Sequence, residues 1–245
     1  MLNGYCRVET YREEPWLPTS ENFTKKTNRT ELRLRTEIRI ATIESGGWRF
    51  TTHDLGQDSI VYSLGVGDDI AFDLFIIDRF GAEVHAFDPT PSSIEMLSKT
   101  SLPNRFHFHP WAITAADGTL KFYPRVKKDG SQSTVMFTMI AEDASSENAI
   151  EVPAYCLSSV ASRLGHSRID LLKMDIEGAE YEVLEGLLAS SIKPGQLLVE
   201  FHHRFPAIGL EKTADMIRLL RKSGYKIFAV SDTGREVSFL HTAGH

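Results

Sequence analysis

Residues 58–90 (DSIVYSLGVGDDIAFDLFIIDRFGAEVHAFDPT) restrict the fold more than any other stretch of the chain. An apolar run of strand length, residues 60–66, ends in Gly65-Val66-Gly67. Asp68 and Asp69 then open a helical pattern with Ile70, Leu74, Ile77 and Phe80 on its apolar face. Gly81 closes that pattern, as a residue just past a helix C-terminus commonly does. Residues 83–87 read as a second strand, with Asp88 at its end. Each part of this unit has a physical use. Glycines after the first strand let a ligand approach the backbone. The helix N-terminus offers unpaired N–H groups and partial positive charge to an anion. An acid ending the second strand can accept from both hydroxyls of a ribose. The unit therefore fits a nucleoside with a negatively charged tail, and leaves open which nucleoside.

The rest of the chain supplies the sheet that such a unit needs. Residues 1–30 are polar and irregular. Over residues 31–40, Leu32, Leu34, Ile38 and Ile40 alternate with Arg33, Arg35, Glu37 and Arg39, which predicts a strand with one wet face. Gly46-Gly47 predicts a turn into a return strand over 48–52. We read residues 1–54 as an arm and β-hairpin extension ahead of a domain over 55–245. After the central unit, Pro91 opens a helix. Residues 105–114 read as a third strand containing Trp111-Ala112-Ile113. Asp117-Gly118 predicts a hairpin turn into a strand over 119–123, followed by a polar surface loop over 124–148. A short strand (150–156) and helix (157–164) lead to IDLLKMDI, a buried strand ending at Asp175. A helix over 179–189 and the strand QLLVEFHH (196–203) follow. A helix over 211–223 and two strands, 225–231 and 236–241, close the chain. Apolar strands alternating with helices mean a mostly parallel, doubly wound α/β sheet covered on both faces, and the closing pair, joined by a short turn, must be an antiparallel hairpin.

Composition excludes several classes. A net charge of −6 argues against nucleic acid as the main partner. Cys6 and Cys156 are far apart and form no CxxC arrangement, so they read as free thiols of a reducing compartment. The N-terminus lacks the apolar core of a signal peptide, and no run approaches the roughly 20 apolar residues of a membrane span. A cytoplasmic protein without membrane partners is the expectation; homo-oligomerisation is left open.

Five segments occur in a fixed order: Gly65-Val66-Gly67, Ala86-Phe87-Asp88-Pro89, Trp111-Ala112-Ile113, LKMDIEGAE from Leu172 to Glu180, and Val199-Glu200-Phe201-His202. Together they resemble the FkbM family of methyltransferases over about residues 55–242, and LKMDIEGAE is the most specific piece. The resemblance implies a Rossmann-like class I methyltransferase fold with a seven-stranded sheet, and S-adenosylmethionine as cofactor. It implies that Gly65, Val66 and Gly67, with Asp69 at the helix start, hold the methionine part. It places the ribose hydroxyls on Asp88 beside Pro89, adenine against Trp111 and Ala112, and Asp175 near methyl transfer. Gly67 is followed by Asp68-Asp69, where many members have a third small residue. The implied reaction is O-methylation of a hydroxyl on a small molecule or sugar. Two alternatives stay open: a nicotinamide-dependent oxidoreductase, although Ile70 replaces the third glycine of G-x-G-x-x-G, and a non-catalytic nucleoside-binding protein.

Outside those motifs, Lys173 and Glu200 are charges within apolar strands expected to be neighbours, so they are predicted to pair. His202 and His203 end the fifth strand at the crevice. His202 is the expected general base, because an imidazole titrates near neutral pH. Glu177 and Glu180 read as cap or surface acids, and His107 and His109 as sheet-face residues. Asp175, Glu200 and His202 could hold a divalent cation, but their spacing matches no metal signature, and no metal is assigned.

Overall fold

The computed structural model describes residues 23–26, 29–32, 34–126, 132–138 and 149–242. Among the described residues the first elements are two antiparallel hairpins, β1 (Phe23–Lys26) with β2 (Arg29–Leu32) and β3 (Ile43–Ser45) with β4 (Trp48–Phe50). Next come β5 (Ile60–Leu64), α1 (Ala71–Phe80), β6 (Glu83–Phe87), α2 (Pro91–Ser98) and β7 (Phe106–His109). An excursion of four strands follows: β8 (Ala112–Ile113), β9 (Gly118–Val126), β10 (Gln132–Thr138) and β11 (Ile150–Tyr155). The chain then runs α3 (Leu157–Leu164), β12 (Leu171–Met174), α4 (Glu180–Ala189), β13 (Gln196–Glu200) and α5 (Gly209–Lys222). It closes with β14 (Tyr225–Val230) and β15 (Glu236–His241).

Seven strands form the main sheet in the order β14-β15-β13-β12-β5-β6-β7. β15 is antiparallel to both its neighbours, and the other pairs are parallel. This is the expected doubly wound sheet with its antiparallel hairpin. Period-two alternation feeds two cores. Tyr62, Leu172 and Leu197 face α3, α4 and α5, while Val61, Leu171 and Leu198 face α1 and the β3–β4 hairpin. The hairpin is tied in firmly. Phe50 is fully buried, and Thr51 and Gln196 exchange two hydrogen bonds of 3.0 and 2.9 Å. Among the described residues, no helix is long and apolar enough to cross a membrane.

Several local expectations are corrected. Residues 34–42 form no continuous strand. Glu37 and Ile38 both donate to the Ile227 carbonyl, and the Glu37 carboxylate accepts from Ile227 N–H and pairs with Arg221. One anchor at the edge of β14 replaces the predicted ladder. On α1 the buried face is Phe72, Asp73 and Ile76, whereas Leu74 is exposed. The third strand breaks at Pro110, and β8 pairs in parallel with β11, so Asp117-Gly118 is no hairpin turn. β9 instead pairs antiparallel with β10 and β11. The polar stretch 124–148 thus contains the end of β9 and all of β10; residues 127–131 and 139–148 and Cys6 lie outside the described residues.

Lys173 and Glu200 do not pair. Parallel register sets Lys173 opposite Leu198 and Ser63, two residues short of Glu200. Lys173 Nζ donates instead to the Gly65 carbonyl at 2.8 Å and lies 5.3 Å from the Trp48 ring centre. Glu200 is held by Arg235 at 2.8 Å.

Candidate active site

Chain order reverses between β5 and β12, and the strand ends there open into a crevice of about 350 Å³. Ligands of open α/β sheets bind at such a point, and the volume suits a small molecule. Gly65-Val66-Gly67, Asp69, Asp88, Pro89, Trp111, Ala112, Lys173, Asp175 and Glu177 all line it. The cofactor-site residues predicted from sequence are therefore brought together, along with Asp175. His202 sits beside this group, at the far side of Asp175.

The two glycines differ in what requires them. A Cβ on Gly65 would lie 1.7 Å from the Asp175 carbonyl oxygen, and its φ is +79°. Gly65 is thus needed by the protein itself, where the β5 loop crosses the end of β12. Gly67 has φ +62° with open space where a Cβ would stand. It is the position at which a ligand can come close to the backbone. Asp69 Oδ1 accepts from Ala71 N–H at 2.8 Å, so it caps the start of α1.

Asp88 is buried and fully engaged. Its Oδ2 accepts from Val66 and Gly67 N–H at 3.0 and 2.9 Å. Its Oδ1 accepts from Thr90 N–H at 2.8 Å and from the Thr90 hydroxyl at 2.6 Å. A carboxylate has about four acceptor sites. A ribose reaching Asp88 must therefore replace one of these bonds, and the residue's evident work is to hold the glycine loop against β6. Beyond it, Trp111 packs edge-on to Tyr155, with ring centres 5.1 Å apart, and forms an aromatic wall with Phe87 and His109.

At the ends of β12 and β13 acids converge on one imidazole. His202 Nδ1 is 2.9 Å from Glu180 Oε1. Its Nε2 lies 3.6 Å from Glu177 Oε2, 3.7 Å from Asp175 Oδ1 and 4.0 Å from Glu200 Oε1. Burial works against the charged imidazole, but the Glu180 hydrogen bond and the charges of Glu180, Glu177 and Asp175 outweigh it and push its pKa up to about 9. The expected imidazole poised near neutrality is corrected: His202 keeps its proton at pH 7. His203 is shifted the other way, mainly by burial. Burial also raises the Asp175 carboxyl, opposed by Lys173 and His202 and aided by Glu177 and Glu180. Glu200 is raised first by burial and then by Asp175.

Glu180, expected as a cap or surface acid, is fully buried. Besides His202, it accepts from Ile176 N–H at 3.0 Å and Gly178 N–H at 3.1 Å. It knits the turn of Glu177 (φ 52°) and Gly178 to β13. Its place inside LKMDIEGAE was the only sequence signal of this role. Asp73 was missed altogether. It lies on the buried face of α1, and neither of its carboxyl oxygens has a hydrogen-bond partner among the described residues. Its carboxyl is raised by burial, opposed chiefly by the charge of Lys173. His107 bonds to Glu83 at 2.7 Å and stacks on His85, consistent with a sheet-face role.

Comparison with known proteins adds the chemistry class. Residues 56–227 match the methyltransferase FkbM domain. The chain is 31% identical over 149 residues to the human probable methyltransferase-like protein 24, which covers 60% of this chain and 33% of that protein. The rat counterpart matches at 28% over 186 residues, 73% of this chain and 44% of the relative, so the chain spans less than half of these relatives. The 31-O-demethyl-FK506 methyltransferase FkbM of Streptomyces tacrolimicus is 25% identical over 240 residues, covering 82% of this chain and 90% of that one. A crystal structure of methyltransferase FkbM from Methylobacillus flagellatus KT aligns with TM-score 0.48 at 14% identity, over 77% of this chain and 45% of that one. With 56–227 matched as one FkbM domain, and the glycine loop, Asp88 and the DIEGAE turn meeting at one crevice, the chain belongs to the FkbM family of methyltransferases.

Proposed function

We propose that the chain is an S-adenosylmethionine-dependent methyltransferase that methylates a hydroxyl oxygen of a small molecule or sugar. The observation that carries the reading is the juxtaposition of an open glycine, Gly67, with Asp175 across one crevice. Family membership leaves the nicotinamide reading without support. The preference for oxygen follows the Streptomyces relative, whose name records a 31-O-demethyl substrate.

The residues fit the cofactor. Gly67 leaves room at the backbone, Asp88 fixes the Val66–Gly67 loop, and Phe87, Trp111 and Ala112 offer an apolar wall for a base. When bound, S-adenosylmethionine supplies an electrophilic methyl group on a sulfonium sulfur. The protein's part is to align acceptor oxygen, carbon and sulfur in line. With that group in place, Asp175 would take the hydroxyl proton as the acceptor oxygen receives the methyl group and the neutral thioether leaves. Asp175 is chosen over His202 because it faces the crevice and its raised pKa makes it a better base, whereas His202 is already protonated.

Calorimetric titration with S-adenosylhomocysteine and with NAD tests the cofactor. Binding of the first alone is expected; binding of neither, or of NAD, refutes the reading. Asp88→Asn should weaken S-adenosylhomocysteine at least tenfold and also lower the melting temperature, because charge-assisted bonds of about 1.5–3 kcal/mol each anchor the loop. A screen of hydroxylated sugars and metabolites for methyl uptake then identifies the acceptor.

A further inference from the structure

The groups at the ends of β12 and β13 have a spacing that hydrogen bonding does not explain. His202 is 1% exposed, and its Nε2 stands 3.6–4.0 Å from oxygens of Glu177, Asp175 and Glu200. Those distances are too long for hydrogen bonds. Donor atoms about 2.1 Å from one ion lie roughly 3.0–4.2 Å from each other. The ligand atoms of Asp175, Glu200 and His202 all fall within 4.8 Å of one another. We infer that Asp175, Glu200 and His202 form a binding site for one divalent cation, with Glu180 orienting the imidazole.

Two features support this beyond proximity. The ligating nitrogen is chosen in advance, since Nδ1 is bound to the fully buried Glu180 and Nε2 faces the carboxylates, where a binding cation takes the place of its proton. A carboxylate on the far nitrogen of a histidine is the usual outer partner of a metal ligand. Last, the donors come from the ends of two neighbouring strands, β12 and β13. A set assembled this way has no linear signature, which is why the sequence spacing matched none.

One imidazole with two carboxylates suits Mn²⁺ or another first-row divalent ion better than Ca²⁺ or Mg²⁺. Asp175 lines the crevice as well, so the ion would face it. Its part in methyl transfer, to draw in and acidify an acceptor hydroxyl in place of the free Asp175 carboxylate, rests on the proposed function; its binding does not.

The test uses the full chain treated with EDTA and then dialysed. Mn²⁺ is titrated by the electron paramagnetic resonance signal of the free ion and by thermal melting, and S-adenosylhomocysteine is titrated by calorimetry with and without Mn²⁺. One Mn²⁺ per chain and a higher melting temperature are expected. Glu200→Gln and Asp175→Asn should each weaken Mn²⁺ at least tenfold while remaining folded without metal by circular dichroism; Glu44→Gln, on an exposed hairpin, should not weaken it. No Mn²⁺ uptake at millimolar concentration, or equal affinity in wild type and Glu200→Gln, would overturn the inference. Mn²⁺ uptake without S-adenosylhomocysteine binding would sink the methyltransferase reading and leave the cation site standing; the reverse pattern would do the opposite.

Discussion

Glu180→Gln is the most informative single substitution. It keeps the shape of a fully buried side chain and removes the charge that faces His202 Nδ1. A rise in the His202 pKa from 6.5 to about 9 corresponds to roughly 3 kcal/mol of preference for the imidazolium in the folded state. Because the folded pKa lies above the unfolded one, this stabilisation is fully present below pH 6.5 and is lost as pH rises through about 9. Urea unfolding of the wild type in EDTA should therefore show stability falling by roughly 3 kcal/mol across that window. Asp175 and Glu200 also have raised folded pKa values, so their contributions fall with rising pH too, but the fall begins in the acid range of carboxylates. In Glu180→Gln the fall should be smaller and centred at lower pH. At pH 6 the variant should be less stable by about 2–4 kcal/mol, since the amide must set an N–H against either Gly178 or the imidazolium. Above pH 9.5 the gap between the two proteins should narrow. The His202 Cε1–H resonance gives the same pKa directly. A wild-type curve flat between pH 6.5 and 9, or a variant that follows it in parallel, would refute the electrostatic account of this site.

Two further substitutions separate the roles of neighbouring residues. Gly65→Ala drives a Cβ into the Asp175 carbonyl and should give little folded protein. Gly67→Ala, with open space around it, should cost only about 1–2 kcal/mol of stability yet weaken S-adenosylhomocysteine strongly; equal effects of the two on folding, read by circular dichroism, would contradict the assigned roles. Lys173→Met leaves the buried Asp73 without its opposing charge and should cost about 3–5 kcal/mol. Combined with Asp73→Asn it should cost less than the sum, whereas combined with Glu200→Gln it should be additive; the reverse pattern in urea unfolding would restore a Lys173–Glu200 pair.

What the sequence determined by itself was order and local type. Apolar runs of strand length, separated by helical patterns and closed by Gly81 and Pro91, led to the doubly wound sheet. The glycine loop, Asp88 and LKMDIEGAE pointed to the crevice and the family. These signals are legible because each is written in adjacent residues. Partnership between distant charges is not. Lys173 and Glu200 were matched because both interrupt apolar strands, but the register decided otherwise, setting Lys173 beside Leu198 and sending its ammonium to the Gly65 carbonyl. Periodicity put Leu74 on the inner face of α1, whereas the helix's rotation against β4 buries Asp73 instead. His202 looked like a base at neutral pH because an isolated imidazole is one. Only the fold brings Glu180, Glu177 and Asp175 around it, and their summed field, acting where water is excluded, holds the proton on the ring. Local propensity is a property of a few consecutive residues, whereas register, helix rotation and pKa depend on which remote groups are packed within a few ångströms, and the tertiary structure alone sets that.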